Sequence, residues 1–464
     1  MTTPSTNSIV NKKEPFFTIE ANGSRYNVTV IILNNKGEAR IINQNSFQNV
    51  TFETTHTSPF LLGSLTLVNE SNIDLLNSNH GTETNSYGHG DEFIKIKISY
   101  LNSKRKTITL LDKLFITTRK SNITQQNQKQ TMYYFADIVY SHFYNKRVEW
   151  CTDMIADRSI PNYGQKKVNA GEALKHLLKF FSEDNNIIDD SDWDNGIGKL
   201  YYSLPSSTPA LGGIKEILKS YVSSDESSGI LTYYNGKFQL KSLKKHLTNV
   251  YKRQGNTNKI GNQLTGAFKI QTFDKQTKYT NKNIDLFGKK FDYIPLDINN
   301  IDFQDIQPDA TLTTLAKNEV VQFSPEHKKF TIHSNHGTIK EVTNKTNVES
   351  LIGSKDNKIN IDENSQFNVK TRIFNFSDEP TVEHYGTINL QKQLFNTLTT
   401  ASFSTGGNIN FNANKFIYMT IDLNLKNKFT QKIPGFWFIK NNLTKLSKQQ
   451  FSSIIECVKL DKPA

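Results

Sequence analysis

Gly229-Ile-Leu-Thr-Tyr-Tyr-Asn-Gly-Lys-Phe-Gln-Leu-Lys-Ser-Leu243 places two strand-like runs on either side of Asn235-Gly236. Both turn residues tolerate positive φ, so the spacing predicts a two-residue β-hairpin. A hairpin alone does not define a fold, but its setting does. Upstream lie two helical patterns, and before them a long β-rich third. Downstream the chain closes on another β-rich stretch containing Pro434-Gly-Phe-Trp-Phe-Ile439.

Immediately before the hairpin the hydrophobic period is helical. Asn169 stands where an N-cap belongs, Glu172 follows in the first turn, and Ala173, Leu174, Leu177, Leu178 and Phe181 recur at helical spacing. A second helix is expected after Pro209, burying Ile214, Ile217, Leu218, Tyr221 and Val222 and ending in the serine-rich stretch 223–228. Residues 189–198 between them read as an acidic, turn-rich loop.

Further upstream the period is two. Ile94, Ile96, Ile98 and Tyr100 alternate with Lys95, Lys97 and Ser99, which directs one face to a core and the other to solvent. Strands are expected at 26–33, 47–54, 64–68, 107–117 and 132–143, with a long polar loop at 78–90. Residues 1–14 read as a polar arm. After the hairpin, 255–300 is strand-like with loops, and 301–384 offers short β runs at 330–333 and 370–376. The last 80 residues suggest a short helix at 390–398 and strands at 409–411, 416–423, 436–439 and 451–458. The fold class expected is mainly β with a small helical segment.

With 464 residues, 36% of them hydrophobic, and a mean hydropathy of −0.55, the chain has the composition of a soluble protein with several domains. No apolar run reaches 18 residues, so no spanning helix is expected. The N-terminus lacks a basic region followed by an apolar core, so no secretory signal is expected. Two cysteines, Cys151 and Cys457, make no disulfide framework and are expected as free thiols. The net charge of +12 is uneven: 225–300 and 385–464 each carry +7, while 301–384 carries −4. The two basic stretches are expected to share one folded unit. Such an excess suits nucleic acid or an acidic partner, or reflects single lysines on solvated strand faces.

Catalytic motifs are absent from the sequence. It has no P-loop, no GxGxxG after a strand, no HExxH, no CxxC and no GxSxG. His333 and His336 lack a third metal ligand at clear spacing. His80, His89, Asp91 and Glu92 read as a solvated loop. Asp189, Asp190, Asp192 and Asp194 fail the calcium-loop pattern, because position six is Asp194 and position twelve is Tyr201. Gly212-Gly213 and Gly406-Gly407 read as turns. Phe436-Trp437-Phe438 reads as core rather than as a base-stacking platform. No catalytic, cofactor-binding or metal residue is assigned, no cofactor is expected, and no enzymatic activity is expected.

The run Asn45-Ser-Phe-Gln-Asn-Val-Thr-Phe-Glu-Thr-Thr-His-Thr-Ser-Pro-Phe-Leu-Leu-Gly-Ser-Leu-Thr-Leu-Val68 resembles the first tube strands of baseplate hub proteins from contractile-tailed bacteriophages, with a Pro-Phe and Gly turn between two strands. Residues 90–100, 113–118 and 133–141 resemble the next strands. The helical stretches 170–181 and 210–222, the hairpin, and 407–423 with Gly435-Phe-Trp-Phe-Ile439 follow in the family's order. The hub part of type VI secretion spike proteins is similar. The resemblance covers most of the chain except 1–14 and 301–384.

That resemblance implies two tube-type β-barrel or sandwich domains in one chain, with peripheral α/β decoration. Residues 1–14 would be the arm, 15–150 the first tube domain, 151–224 the helix-containing segment, 225–300 with 385–464 the second tube domain, and 301–384 an insertion. It further implies a homotrimeric ring of pseudo-sixfold symmetry in the virion, assembled in the host cytoplasm. The implied partners are the tail tube protein, the central spike protein, other baseplate proteins and DNA passing through the lumen. The sequence carries no OB-fold, β-helical needle or lysozyme domain after the last tube-like strand, so a separate spike polypeptide is expected. Two other readings stay open on the residues alone: a β-rich receptor- or glycan-binding module, and a hydrolase with spatially paired carboxylates.

Overall fold

The computed structural model describes residues 15–33, 39–68, 92–101, 105–125, 128–144, 146–155, 166–225, 227–234, 236–248, 264–271, 283–286, 289–304, 317–324, 329–335, 370–376, 399–421 and 433–459. The chain is mainly β. Strands β1 (Phe17–Ala21), β2 (Ser24–Leu33), β3 (Ala39–Ile41), β4 (Phe47–Thr55), β5 (Ser58–Val68), β6 (Phe93–Leu101), β7 (Thr107–Gln125) and β8 (Gln128–Asp137) build an antiparallel array in the order β1-β2-β6-β7-β8-β5-β4, with β3 on β2. β6 shows why. Ile94, Ile96 and Ile98 are completely buried, whereas Lys95 and Lys97 point out and flank Asp112 of β7 at 4.0 and 3.3 Å. Each fully buried isoleucine contributes roughly 1.5–3 kcal/mol.

A compact unit follows. It comprises α1 (Ile138–Tyr144), β9 (Trp150–Cys151), α2 (Ala170–Ser182), β10 (Ile188–Trp193), β11 (Ser203–Leu204), α3 (Ala210–Ser220), the hairpin β12 (Gly229–Tyr234) and β13 (Lys237–Ser242), and α4 (Leu243–Thr248). Leu174, Leu177 and Phe181 of α2, Ile214 and Ile217 of α3, and Leu231, Phe238 and Leu240 of the hairpin meet in one core. The two helices approach closely because Gly213 has no side chain; a Cβ there would lie 3.1 Å from Leu177 Cδ1 and Leu204 Cδ1.

The remaining strands are β14 (Leu264–Gln271), β15 (Asn283–Leu286), β16 (Lys289–Asp297), β17 (Ile301–Gln304), β18 (Lys317–Ser324), β19 (Lys329–Asn335), β20 (Lys370–Phe376), β21 (Thr400–Gly406), β22 (Phe416–Ile421), β23 (Gly435–Ser447) and β24 (Phe451–Lys459). β18, β19 and β20 form a separate three-stranded sheet in the order β19-β18-β20. The others extend the first array into one 16-stranded sheet, which runs from β4 to β23, β22, β14, β16 and β15 and branches through β24, β21 and β17. The junction is the antiparallel pairing of β4 with β23, from Asn441↔Thr55 to Ser447↔Asn49.

The two parts of the sheet curl around separate cores. Ile19, Val30, Phe47, Phe52, Phe115 and Phe135 belong to the first, which Leu446 and Phe451 of the closing hairpin complete. Phe451 packs edge-on against Tyr26, centroids 5.0 Å apart. The second core collects Phe268, Ile417, Met419, Trp437, Ile455 and their neighbours.

Several expectations are corrected. Residues 138–143, read as the end of a strand, form α1: its Tyr140 and Phe143 pack against Phe60 at 5.2 and 5.9 Å, and this tertiary contact overrides the β preference of Ile138 and Val139. Residues 189–193, read as loop, form β10, parallel to β13. The acidic side chains are offset there by Lys241 on Asp192 at 3.0 Å and by Gln239 Nε2 donating to Asp189 at 2.8 Å. Residues 409–411, read as a strand, contain a turn in which Asn408 Oδ1 accepts from Asn410 N at 2.9 Å.

The turn after β4 is not Pro59-Phe60 but His56-Thr57, and Pro59, Phe60 and Gly63 all lie within β5. Gly63 is required by crowding rather than by a turn: a Cβ would sit 2.3 Å from Thr51 O and 2.5 Å from the Phe135 ring. Gly212-Gly213 lies inside α3 rather than in a turn. Asn169 takes the extended N-cap conformation, yet its side chain donates to Gly196 O at 3.1 Å instead of capping α2. α3 ends at Ser220, and Tyr221 and Val222 remain completely buried beyond it. Ser334 is part of β19, not of a turn. The 1–14, 78–90 and 390–398 readings, with Asn235, lie outside the described residues. Gly236 adopts φ 79° between the paired Tyr234 and Lys237, as a two-residue turn demands.

Candidate assembly surface

Alternation along β4, β5, β8, β23, β24 and β21 assigns one face of each strand to the cores and the other outward, where it is open to solvent except at the start of β5, which the helical unit covers at Phe60. The ladder registers align the outer residues into rows that cross from one half of the sheet to the other. One row runs Ser452, Lys445, Thr51, Ser64, Tyr134 and Arg119. Within it Thr51 Oγ1 and Ser64 Oγ share a hydrogen bond of 2.7 Å, and the Arg119 guanidinium lies 5.7 Å from the Tyr134 ring. The next row places Ile454 opposite Leu443 and Leu443 opposite Glu53, with Leu443 and Ile454 exposed. A third brings Glu456 beside Asn441, whose Nδ2 donates to it at 2.6 Å, and Lys440 lies 3.7 Å from the same carboxylate. The face is thus a continuous, hydroxyl-bearing surface with charges of both signs.

Among the described residues, those singled out in the sequence do not converge on a reactive centre. Asp189, Asp190, Asp192 and Asp194 are each engaged separately: by Ser191 and Gln239, by Lys175, by Lys241, and by Gly196 N with Ser224 Oγ. Partner hydroxyls and lysines hold the Asp189 and Asp190 carboxyls below their ordinary range. Glu92 is buried at the start of β6, with its carbonyl accepting from Thr117 N at 2.9 Å. His80, His89, Asp91 and His336 lie outside the described residues, and His333 is placed in β19. Among the described residues no group of three His, Cys, Asp or Glu is placed to hold a metal ion, and no helix is long and apolar enough to cross a membrane. Cys151 and Cys457 are buried free thiols in different parts of the fold, and burial pushes the Cys457 thiol up. Trp437 and Phe438 are completely buried, consistent with packing rather than base stacking.

Sequence reasoning missed His246. It is completely enclosed on α4, its Nε2 hydrogen-bonds Asn414 O at 2.8 Å, and its ring faces those of Phe416 and Phe438. Burial pushes its pKa down to about 4. It fastens the end of the helical unit to the second part of the sheet. Its one sequence signal was a histidine at the end of a six-residue helix too short to read by period.

Chain-wide similarity is detectable by structure alone. No family model matches the sequence, and no curated protein matches it. The fold is similar to that of the tail protein from Neisseria meningitidis MC58, with a TM-score of 0.47 and 8% identity over 94% of this chain and 96% of that one. It is also similar to the 43 kDa tail protein of prophage MuSo2 from Shewanella oneidensis, with a TM-score of 0.45 and 8% identity over 94% of this chain and all of the other. A chain of the Francisella PdpA–VgrG complex aligns with a TM-score of 0.46 and 9% identity over 95% of this chain and 59% of its own length.

Proposed function

We propose that this chain is a baseplate hub subunit of a contractile tail. Three copies form a ring that joins the tail tube to the central spike, contacts other baseplate proteins, and leaves a channel through which DNA passes. It acts in the virion after assembly in the host cytoplasm. In this reading β1–β8 form the first tube unit and β14–β17 with β21–β24 the second, the helical unit with its hairpin β12–β13 lies outside both, and β18–β20 are peripheral.

The observation that carries the proposal is the β4–β23 pairing. It sets two curled sheet halves edge to edge within one chain, so three chains bring six halves around an axis. Edges that would otherwise promote aggregation become assembly contacts in such a ring. The outer face of the joined strands is supporting evidence of a second kind. Hydroxyls and charges of both signs offer phosphate few fixed cations to hold it, as a lumen for DNA requires.

The test is the solution mass of the purified chain together with capture of purified tube and spike proteins. A mass near three times 53.0 kDa with binding to both is expected. A monomer that binds neither would refute the proposal.

A further inference from the structure

β4 and β23 join the two halves of the sheet, yet no connecting turn sets their register, since β5 follows β4 and β22 precedes β23. Core-facing Val50, Phe52 and Thr54 of β4 lie opposite Leu446, Thr444 and Asn442 of β23. Outward-facing Thr51 and Glu53 lie opposite Lys445 and Leu443. An odd shift would turn core residues outward, but an even shift keeps every facing and re-forms the ladder. Moving β23 by two residues would also match the side chains better. Leu446 would meet Phe52, Thr444 would meet Thr54, and Lys445 would meet Glu53, which pairs apolar with apolar, hydroxyl with hydroxyl and opposite charges. The observed register forgoes all three, so a contact outside the ladder selects it.

Residues 408–414 cross the core side of this joint, with Ile409 in the first core and Phe411 in the second. Asn408 N donates to Ser453 Oγ of β24 at 3.0 Å. That oxygen shares a hydrogen bond of 2.8 Å with Thr444 Oγ1, which also accepts from Asn442 Nδ2 at 3.0 Å. Thr444 and Ser453 are completely buried. At the far end Asn414 N donates to Ile439 O at 3.0 Å, and Ile439 N donates to Lys415 O at 2.9 Å. The segment is thus tied to β23 and β24 at both ends. Between them Ala413 N donates to Thr54 Oγ1 of β4 at 2.9 Å, across 359 positions of sequence. We propose that this bond sets the register of the joint, with Thr54 as the residue that selects it. A shift of two residues carries Thr54 about 6.8 Å away and brings His56 opposite Asn442, so the Ala413 bond is lost. On the hub reading the same shift slides one half of the sheet along the other, and three copies no longer close a ring. The inference rests on that reading for this consequence alone.

The experiment places paired cysteines on the outward face of the full chain. Glu53→Cys with Leu443→Cys reports the observed register, and Glu53→Cys with Lys445→Cys reports the shifted one. A disulfide spans directly opposed residues, whereas a diagonal pair is too far apart. Each chain is refolded from urea under mild oxidation, and the linked fraction is read by peptide mapping. In the otherwise unchanged chain the first pair alone should link. Thr54→Val keeps the β-branched shape and loses the acceptor, so it should raise linkage of the second pair several-fold. Thr54→Ser keeps the hydroxyl and should leave the first pair dominant. If the valine variant is insoluble, Thr54→Ala gives the same reading. A second pair that stays unlinked in both the valine and alanine variants overturns the proposal, as does its linkage in the unchanged chain. A trimeric mass with one register in every variant sinks this inference and leaves the hub reading intact. An unchanged chain that stays monomeric and ignores tube and spike proteins counts against the hub instead.

Discussion

The rings of Phe60 and Phe238 stand nearly perpendicular, 84° apart with centroids separated by 5.8 Å. Phe60 comes from β5 of the large sheet and Phe238 from the hairpin, so this contact carries the helical unit on the sheet. Phe143 meets both rings, at 5.9 and 5.8 Å. Phe60→Ala should cost about 3–5 kcal/mol. In chemical denaturation the variant should show the helical unit melting before the sheet. A single unshifted transition would mean that the contact does not couple the two.

Ile96 is completely buried in the middle of β6. Ile96→Asp places an unpaired charge in the first core and should abolish soluble expression, since such a group costs several kcal/mol even after it neutralises. The neighbouring Lys95→Asp, on the solvent face, should express normally. Equal yields for the two would refute the strand's facing.

Gly236 holds φ 79°. Gly236→Val forces a β-branched residue into the left-handed region, at a cost of about 1–2 kcal/mol. A drop in Tm is expected, and Gly236→Asn should recover most of it. An unchanged Tm for the valine variant would argue against the turn.

His246 gives a pH signature. Burial lowers its folded-state pKa to about 4, below the unfolded value of 6.5. Above pH 6.5 both states are neutral there and stability is at its full value. As pH falls from 6.5 toward 4 the unfolded state takes up a proton that the folded state refuses, so stability declines by up to about 3 kcal/mol and then levels. His246→Phe should flatten that part of the profile, measured as urea midpoints at successive pH values. His56 and His142, also lowered by burial, would keep a residual slope. Parallel profiles for both proteins would overturn the assignment.

Period-two runs were legible wherever one face is buried and the other wet, as in β6. Helical spacing likewise exposed α2 and α3. What escaped the sequence depended on contacts from elsewhere in the chain. α1 reads as strand until Phe60 arrives to cover Tyr140 and Phe143. β10 reads as an acidic loop until Lys241 and Gln239 of β13 meet its carboxylates. The row through Lys445, Thr51 and Ser64 could not be read at all, because register between distant strands leaves no local pattern. Of the candidate surface the sequence supplied the strands but not their neighbours.

Asn22 donates to Phe451 O across 429 positions of sequence, and Phe451 closes the core that begins at Ile19. The strands that open this core therefore wait for a residue 429 positions further along the chain. Until then Tyr26, Phe47 and their neighbours remain uncapped, and pairing of this range is slow to nucleate. The first core is therefore completed only after Phe451 has been synthesised. A chain truncated before Phe451 would be a substrate for chaperones and proteases rather than a smaller working subunit.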